Sequence, residues 1–195
     1  MAGGSTYHHG SLRQVLIDVS LDLIAEHGLE GFSLATAAKA AGVSVAAPYR
    51  HFTNKAALLG AIARTGYAQL GAALREAADR HPDDPVEALL ELGSAYVGFV
   101  IDQPALASVM FSVRGREPES DAGLAALGVL GDVLARLEAA GRLAVPLDTA
   151  LRATWSLVHG LAVLHTGGMR TISEEDAPLL RKQVLRPLLD GMLRR

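Results

Sequence analysis

Basic residues occupy a long stretch of the sequence that contains no acidic residue. Glu30 and Glu76 are consecutive acidic residues, and the 45 positions between them carry five cations: Lys39, Arg50, Lys55, Arg64 and Arg75. The other 150 residues carry 13 basic and 21 acidic groups. This segregation favours a surface that faces a polyanion, because cations without neighbouring acids attract phosphates. The alternative is an alanine-rich segment that lacks acidic residues for no functional reason.

Residues 33–55 of that stretch predict two short helices joined by a tight turn. Ser33 can cap the first helix, because its hydroxyl can accept a backbone N–H that the helix leaves unpaired. Gly42 can end that helix, since glycine enters the left-handed conformation without a Cβ clash. Ser44 can cap a second helix two residues later. This order is typical of a helix-turn-helix, whose second helix enters the DNA major groove.

Residues that could catalyse a reaction are scattered. His159 and His165 share a predicted helix with Trp155 and Ser156, but no acidic residue nearby in the sequence could orient a histidine base. The sequence has no cysteine, no HExxH, no GxSxG and no glycine-rich phosphate loop. We therefore expect no enzyme, no metal site and no cofactor. An enzyme that carries an incidental helix-turn-helix is the alternative.

The elements that position these residues are predicted to be helices throughout, so the expected fold class is all-α. Apolar periodicity and the Gly28 stop predict a first helix over residues 11–27. Thr53 or Asn54 can cap a long helix from Lys55 to about Arg80. After a proline-rich break at 81–85, further helices are predicted at 85–102, from 104, at about 121–140, at 147–166 and at about 175–193. The helix at 147–166 is apolar on nearly every side, which predicts burial.

Residues 23–59, LIAEHGLEGFSLATAAKAAGVSVAAPYRHFTNKAALL, resemble the DNA-binding domain of the TetR family of bacterial transcriptional regulators. The unit formed by Tyr49, His51 and Phe52, followed by Lys55, is specific to that domain. WSLVHGLAVL at 155–164 resembles a C-terminal domain type of the same family, which carries a Trp/His-Gly motif. The resemblance implies a three-helix DNA-binding domain over residues 1–54. A helical bundle over residues 55–195 would bind an effector and dimerise.

Carried over by position, the resemblance implies two sets of DNA contacts. Ser33, Tyr49, His51 and Lys55 would contact phosphates, and Ser44, Val45, Ala46 and Ala47 would face base edges. The hydrocarbon side chains at 45–47 can pack on thymine methyl groups but cannot form bidentate hydrogen bonds. Ala35 stands where relatives often carry a polar base reader. We expect specificity from methyl contacts, DNA shape and Arg50; alternatively, residues 45–47 only permit close approach.

Two further groups of residues are predicted in the C-terminal part. The first would line a pocket for a small hydrophobic or amphipathic effector: Tyr96, Phe99, Met110, Phe111, Trp155, His159 and His165. The alternative for each is an ordinary core position. The second would form an intersubunit four-helix bundle, because an exposed leucine stripe on a last helix usually marks a partner: Gly160, Leu161, Leu164, Leu185, Leu188, Leu189 and Met192.

The function expected from the sequence is that of a ligand-responsive repressor, a homodimer on a palindromic double-stranded DNA operator. A transcriptional activator of the same family is the alternative. A nucleoid-coating protein is disfavoured, because the formal net charge is −3 and such a protein needs a strongly basic surface. The sequence has no apolar run of about 18 residues and no pattern of a secretory signal, so we expect a cytoplasmic protein without a membrane partner.

Overall fold

Helices make up nearly all of the part of the chain that the computed structural model describes, residues 9–113, 121–166 and 181–194. There are eight α-helices in those ranges: α1 (His9–Gly31), α2 (Leu34–Ala40), α3 (Lys55–Asp79), α4 (Pro85–Asp102), α5 (Pro104–Val113), α6 (Asp121–Ala139), α7 (Leu147–Thr166) and α8 (Arg186–Met192). A 3₁₀ helix, Pro48–Arg50, precedes α3, and a π-helical turn, Arg181–Leu185, precedes α8. The predicted all-α class is confirmed, and the predicted start of the last helix near residue 175 lies outside the described residues.

Helices begin where the sequence supplies a capping side chain. Ser33 Oγ accepts the Thr36 N–H at 3.1 Å at the start of α2. Asn54 Oδ1 accepts the Ala57 N–H at 2.8 Å, so Asn54 rather than Thr53 caps α3. Asp84 caps α4, which begins with a proline whose missing N–H costs little at that position. The Ser33 cap is thus as predicted, whereas the structure decides between the two caps that the sequence left open for α3 and adds Asp84 as the cap of α4.

Two glycines turn the backbone as their positions predict. Gly28 has φ 70° and interrupts the helical geometry of α1, so the regular helix stops at His27 as expected. Gly42 has φ 68° after α2, and the following Val43 N–H returns to the Ala38 carbonyl at 3.0 Å. A side chain at either position would be strained, because only glycine adopts this conformation at little cost.

The chain divides into two compact units. The first comprises Met1–Thr65 and Ala105–Pro118, and the second comprises Gly66–Pro104 and Glu119–Arg195. Helix α3 passes from the first unit into the second after Thr65, and α5 belongs to the first unit. The boundary expected between residues 54 and 55 stays a prediction. No single helix among the described residues is long and apolar enough to cross a membrane.

The core of the first unit contains apolar side chains from α1, α2 and α3 with Phe52 between α2 and α3. The buried members include Leu16, Ile17, Ile24, Phe32, Leu34, Ala37, Ala38, Phe52, Leu58 and Ile62. Helices α1 and α2 contact each other. Small side chains such as Ala37 and Ala38 permit that close contact. The core therefore supports α2 and the segment that follows it.

In the second unit, α4 packs against both α6 and α7, and α6 packs against α7. Helix α7 buries one face only: Ala150, Thr154, Val158 and Ala162. Leu164 and its neighbour Val163 are each 43% exposed on other sides of the helix. The prediction of a helix buried on nearly every side is therefore wrong for the single chain: among the described residues the main contacts of α7 are with α4 and α6, and its other sides are half-buried or exposed.

The leucine stripe at the end of the chain is covered by the protein itself. Leu185, Leu189 and Met192 are only 3%, 2% and 6% exposed. A Cβ built on Gly93 of α4 would lie 2.6 Å from Leu185 Cδ1, so the absence of a side chain at Gly93 makes room for Leu185. The expectation of an exposed stripe is wrong for these three residues, while Leu188 remains partly exposed.

Candidate nucleic-acid interface and a polar cluster in the second unit

Residues 44–50, which we call the recognition segment, present apolar groups to solvent. Val45 is 58% exposed and Tyr49 is 55% exposed, the two highest values among the large hydrophobic residues that the structure describes. Ala46 and Arg50 are exposed as well. Pro48 is fully buried beneath them and fixes the segment to the core. An apolar surface of this kind, beside a cation, indicates a binding surface.

The recognition segment does not form the expected second α-helix. The Ala47 N–H bonds to the Ser44 carbonyl at 2.9 Å, which closes a turn, and Pro48–Arg50 then forms a 3₁₀ helix. Pro48 has no N–H, so the α-helical bond from residue 48 to the Ser44 carbonyl cannot form. The prediction that Ser44 caps a regular α-helix is therefore wrong, because the proline favours the tighter turn.

Ser33 and Thr36 form a reciprocal cap, of which the sequence predicted only the Ser33 half. Thr36 Oγ1 accepts the Ser33 N–H at 2.9 Å, and Ser33 Oγ accepts the Thr36 N–H. The Thr36 hydroxyl donates to the Ser33 carbonyl at 2.7 Å. The Ser33 hydroxyl proton can therefore be donated to Thr36 Oγ1, 3.1 Å away, or to an outside phosphate. Thr36 was missed because capping boxes usually carry Glu or Gln at that position.

Lys55 is held by the chain itself. Its Nζ donates to the Leu29 carbonyl at 2.8 Å and to the Phe32 carbonyl at 2.7 Å, and it lies 5.4 Å from the centre of the Phe32 ring. An ammonium group has three donors, so two are used within the first unit. Lys55 thus joins the start of α3 to the end of α1 and to the residue before the Ser33 cap. Its phosphate contact stays a prediction.

Arg13 is a cation near this surface that sequence reasoning missed. Its guanidinium lies 5.3 Å from the centre of the Phe52 ring, which is buried just after the 3₁₀ helix. Arg13 itself is exposed. It lies outside the acid-free stretch, on a helix whose pattern indicated only packing, so no local signal pointed to it. The fold thereby adds a positive charge next to Phe52, one residue after the half-buried His51.

Three of the predicted effector residues meet in the second unit. Tyr96 Oη on α4 lies 2.9 Å from His159 Nδ1 on α7. The His159 ring stacks on Trp155 with centroids 5.5 Å apart and an interplanar angle of 26°. Tyr96 meets the same imidazole edge-on, at 6.4 Å. We call this group the Tyr96–His159–Trp155 cluster; it combines aromatic surface with polar atoms, which suits binding of an amphipathic molecule.

Two buried polar atoms on α7 have no hydrogen-bond partner among the described residues: Thr154 Oγ1 and His165 Nδ1. Thr154 is 5% exposed. Thr154 and His165 are eleven residues apart, which is close to three helical turns. The two side chains therefore lie on one face of α7, about 16 Å apart. A buried unsatisfied hydroxyl costs about 1–3 kcal/mol, and such a group in a native fold calls for a partner. Thr154 was not among the predicted residues, because the burial of its hydroxyl without a partner depends on the tertiary structure.

The remaining predicted effector residues are divided between the units. Phe99 is buried on α4 in the second unit. Met110 is fully buried on α5 and Phe111 is half-buried beside it, both in the first unit. Their role in effector binding stays a prediction.

We expect the substitution Lys55→Met to lower the free energy of unfolding by about 2–3 kcal/mol, because it leaves two carbonyls without their charged donor. Lys39→Met is the matched control: Lys39 is exposed on α2, so the expected change is within about 0.5 kcal/mol. Urea unfolding followed by circular dichroism measures both. Equal stability of the two variants would show that the Lys55 contacts do not stabilise the fold.

Two parts of the chain match known family models. Residues 16–62 match the model described as bacterial regulatory proteins, tetR family. Residues 89–186 match the model of the tetracyclin repressor-like C-terminal domain. A curated relative, the HTH-type transcriptional regulator AcrR of Shigella flexneri, is 36% identical over 80 residues. That match spans 41% of this chain and only 37% of the relative.

Solved structures share the whole fold. A protein of unknown function from Rhodococcus sp. RHA1 is 28% identical, with a TM-score of 0.82 over 98% of this chain and 100% of that chain. The TetR family regulator PfmR of Thermus thermophilus is 24% identical, with a TM-score of 0.72 over 92% and 96% of the two chains, which is a likeness of fold alone. Because one family model covers the helix-turn-helix and another covers half of the chain, this protein belongs to the TetR family and is a DNA-binding transcriptional regulator.

Proposed function

We propose that this regulator is a homodimeric repressor, which binds a palindromic operator and leaves it when a small hydrophobic or amphipathic effector binds. The observation that carries the proposal is the recognition segment, with Val45 and Tyr49 more than half exposed beside Arg50 in an acid-free stretch. A surface of this composition matches a major groove lined by phosphates. Tyr49, Arg50 and Ser33 would hold the backbone.

The exposed side of α7 supports the homodimer. Val163 and Leu164 are each 43% exposed, and Gly160 and Leu161 nearby are half-buried. A two-fold axis would place two such surfaces against each other, so that the same residues serve both subunits. The two recognition segments would then enter successive major grooves, about 34–36 Å apart.

The buried side of α7 supports effector binding. Thr154 Oγ1 is buried without a hydrogen-bond partner among the described residues, and the Tyr96–His159–Trp155 cluster includes residues from the adjoining side of the same helix. A ligand with an apolar body and one hydrogen-bonding group would satisfy the hydroxyl and contact the rings. The effector would act by binding one conformation more tightly than the other, which shifts the population away from the operator-binding spacing.

Helix α3 is the natural connection between the two events. It runs through both units, and Lys55 at its first residue is bonded to the carbonyls of Leu29 and Phe32. A shift of α3 in the second unit would therefore be transmitted to the helix-turn-helix. Structures with and without effector test this: an unchanged separation of the two recognition segments in the dimer would contradict the connection.

The function as a whole is tested by selecting bound sequences from a random duplex pool and footprinting the product. A repressor of this kind enriches one short palindrome and lowers transcription from a promoter that contains it. Uniform coating of the duplex would instead indicate a structural DNA-binding protein, and raised transcription would indicate an activator.

Arg50→Gln should weaken operator binding and make it less sensitive to salt. One lost phosphate contact per subunit changes the slope of log K against log salt by about 0.9, or about 1.8 for the dimer. Arg75→Gln is the control with the same loss of charge. Arg75 lies 20 residues beyond Lys55 on α3, about 30 Å along the helix, so its slope should stay unchanged. Identical slopes for both variants would argue against a phosphate contact at Arg50.

Leu164→Glu should convert the dimer to a monomer, because it places two carboxylates near the two-fold axis in an apolar contact. Operator affinity should fall by at least about tenfold, since one subunit reads only one half-site. Leu124→Glu on α6, at a position 46% exposed, is the control and should remain dimeric. Sedimentation equilibrium at micromolar concentration measures both; a dimer that survives Leu164→Glu would place the interface elsewhere.

Thr154→Val should leave the effector-free protein equally stable or up to about 1 kcal/mol more stable, because it removes a buried hydroxyl without a partner. An effector identified by a thermal-shift screen of small amphipathic compounds should bind the variant about 5–10-fold more weakly, as one hydrogen bond is lost. Thr65→Val, whose hydroxyl bonds to the Ala61 carbonyl, is the control. Wild-type effector affinity in Thr154→Val would exclude the hydroxyl from the effector site.

A further inference from the structure

Three of the four positions that the family resemblance places at base edges, 45–47, carry hydrocarbon side chains, and the fourth, Ser44, carries an exposed hydroxyl. Residues 45–47 are Val, Ala and Ala. Val45 is the most exposed large apolar residue among those described, at 58%, and Ala46 is exposed as well. Ala35 on α2 is also exposed. None of these side chains can donate or accept a hydrogen bond, so a readout of base hydrogen-bonding groups through them is excluded.

One feature of the major groove is readable by hydrocarbon alone, namely the 5-methyl group of thymine. We infer that Val45, with Ala46 beside it, recognises a thymine in each half-site by packing on that methyl group. The inference deepens the proposed operator binding and rests on it. It assigns discrimination at that one base pair to apolar contact, while the neighbouring Tyr49 and Arg50 hold phosphates and Ser44 can hydrogen-bond an adjacent base.

The valine at position 45 favours recognition of a base over a role that only lets the backbone approach the DNA closely. Clearance requires only a small side chain, and the two alanines that follow provide it. Valine instead projects two methyl groups from a Cβ whose rotation is restricted, so a defined apolar surface is presented at low entropic cost. The turn beneath it is fixed by the Ala47 N–H bond to Ser44 at 2.9 Å and by the buried Pro48. The methyl groups are therefore held in place before DNA binds.

The experiment uses the full chain and the operator enriched from a random duplex pool. Each thymine of a half-site, with its symmetry mate, is replaced in turn by uracil, cytosine or 5-methylcytosine. At the recognised position, thymine and 5-methylcytosine should bind within about twofold of each other. Uracil and cytosine should bind about 4-fold more weakly per half-site, or about 15-fold for both, as expected for the loss of one buried methyl group each. This order separates methyl recognition from recognition of the thymine O4 atom, which uracil keeps.

A double-mutant cycle with Val45→Ala identifies the side chain responsible. The variant should bind the thymine operator more weakly by a similar factor and should no longer distinguish thymine from uracil at that position. Leu124→Ala, which truncates another exposed apolar side chain, on α6, is the control and should keep the full discrimination. Thermal unfolding of Val45→Ala at the wild-type temperature would show that the fold is intact.

Two results would overturn this inference while leaving the proposed operator binding intact. One is an operator in which every thymine can be replaced by uracil without loss of affinity. The other is Val45→Ala protein that still discriminates thymine from uracil as the wild type does, since the methyl group would then act through DNA shape or another residue. A pool that yields no enriched sequence would instead overturn the proposed operator binding, and this inference with it.

Discussion

An ammonium group held between two backbone carbonyls joins the parts of the DNA-binding unit. Lys55, the first residue of α3, donates to Leu29 and Phe32, 26 and 23 residues earlier in the chain. Those carbonyls lie where α1 ends and just before the Ser33 cap of α2. Because the bonds are charge-assisted, each is stronger than a neutral pair. Together with the apolar core of the first unit, these bonds position α2 and the recognition segment.

In the proposed DNA complex, the surface that Lys55 helps to support would obtain affinity and specificity from different side chains. Cations in a stretch without acids attract the duplex whatever its sequence, and this attraction weakens with salt. The segment between them is apolar, with Val45 and Tyr49 well exposed. The rest of the chain has an excess of acidic residues, which opposes binding to DNA of any sequence. A methyl contact of modest energy would then suffice to distinguish the operator from neighbouring DNA sequences. We therefore assign base discrimination to apolar packing and the positioning of the protein on DNA to the charged side chains.

Helix α7 contributes residues to both the proposed effector site and the proposed dimer contact. Its buried side contains Thr154 with an unpaired hydroxyl, next to the Tyr96–His159–Trp155 cluster, and its other side exposes Leu164. A ligand that reorients this helix would thereby act directly on a dimer contact. Coupling between the proposed effector site and the proposed dimer contact would need no long chain of intervening residues, because both lie on the same helix.

The sequence by itself determined the local structure and the family. The Ser33 cap and the Gly42 turn act over a few residues, so their outcome was predictable from spacing. Spacing left Thr53 and Asn54 as alternative caps, and it predicted a second α-helix where the structure has a 3₁₀ helix at Pro48–Arg50. The tertiary structure decided what covers each apolar face. Periodicity predicted a stripe at the end of the chain, but its burial depends on the space that Gly93, far away in the sequence, leaves for Leu185. The hydrogen bonds from Lys55 to the Leu29 and Phe32 carbonyls also depend on the tertiary structure. A residue pattern shows which side of a helix is apolar or charged, but it does not show which distant group will contact that side.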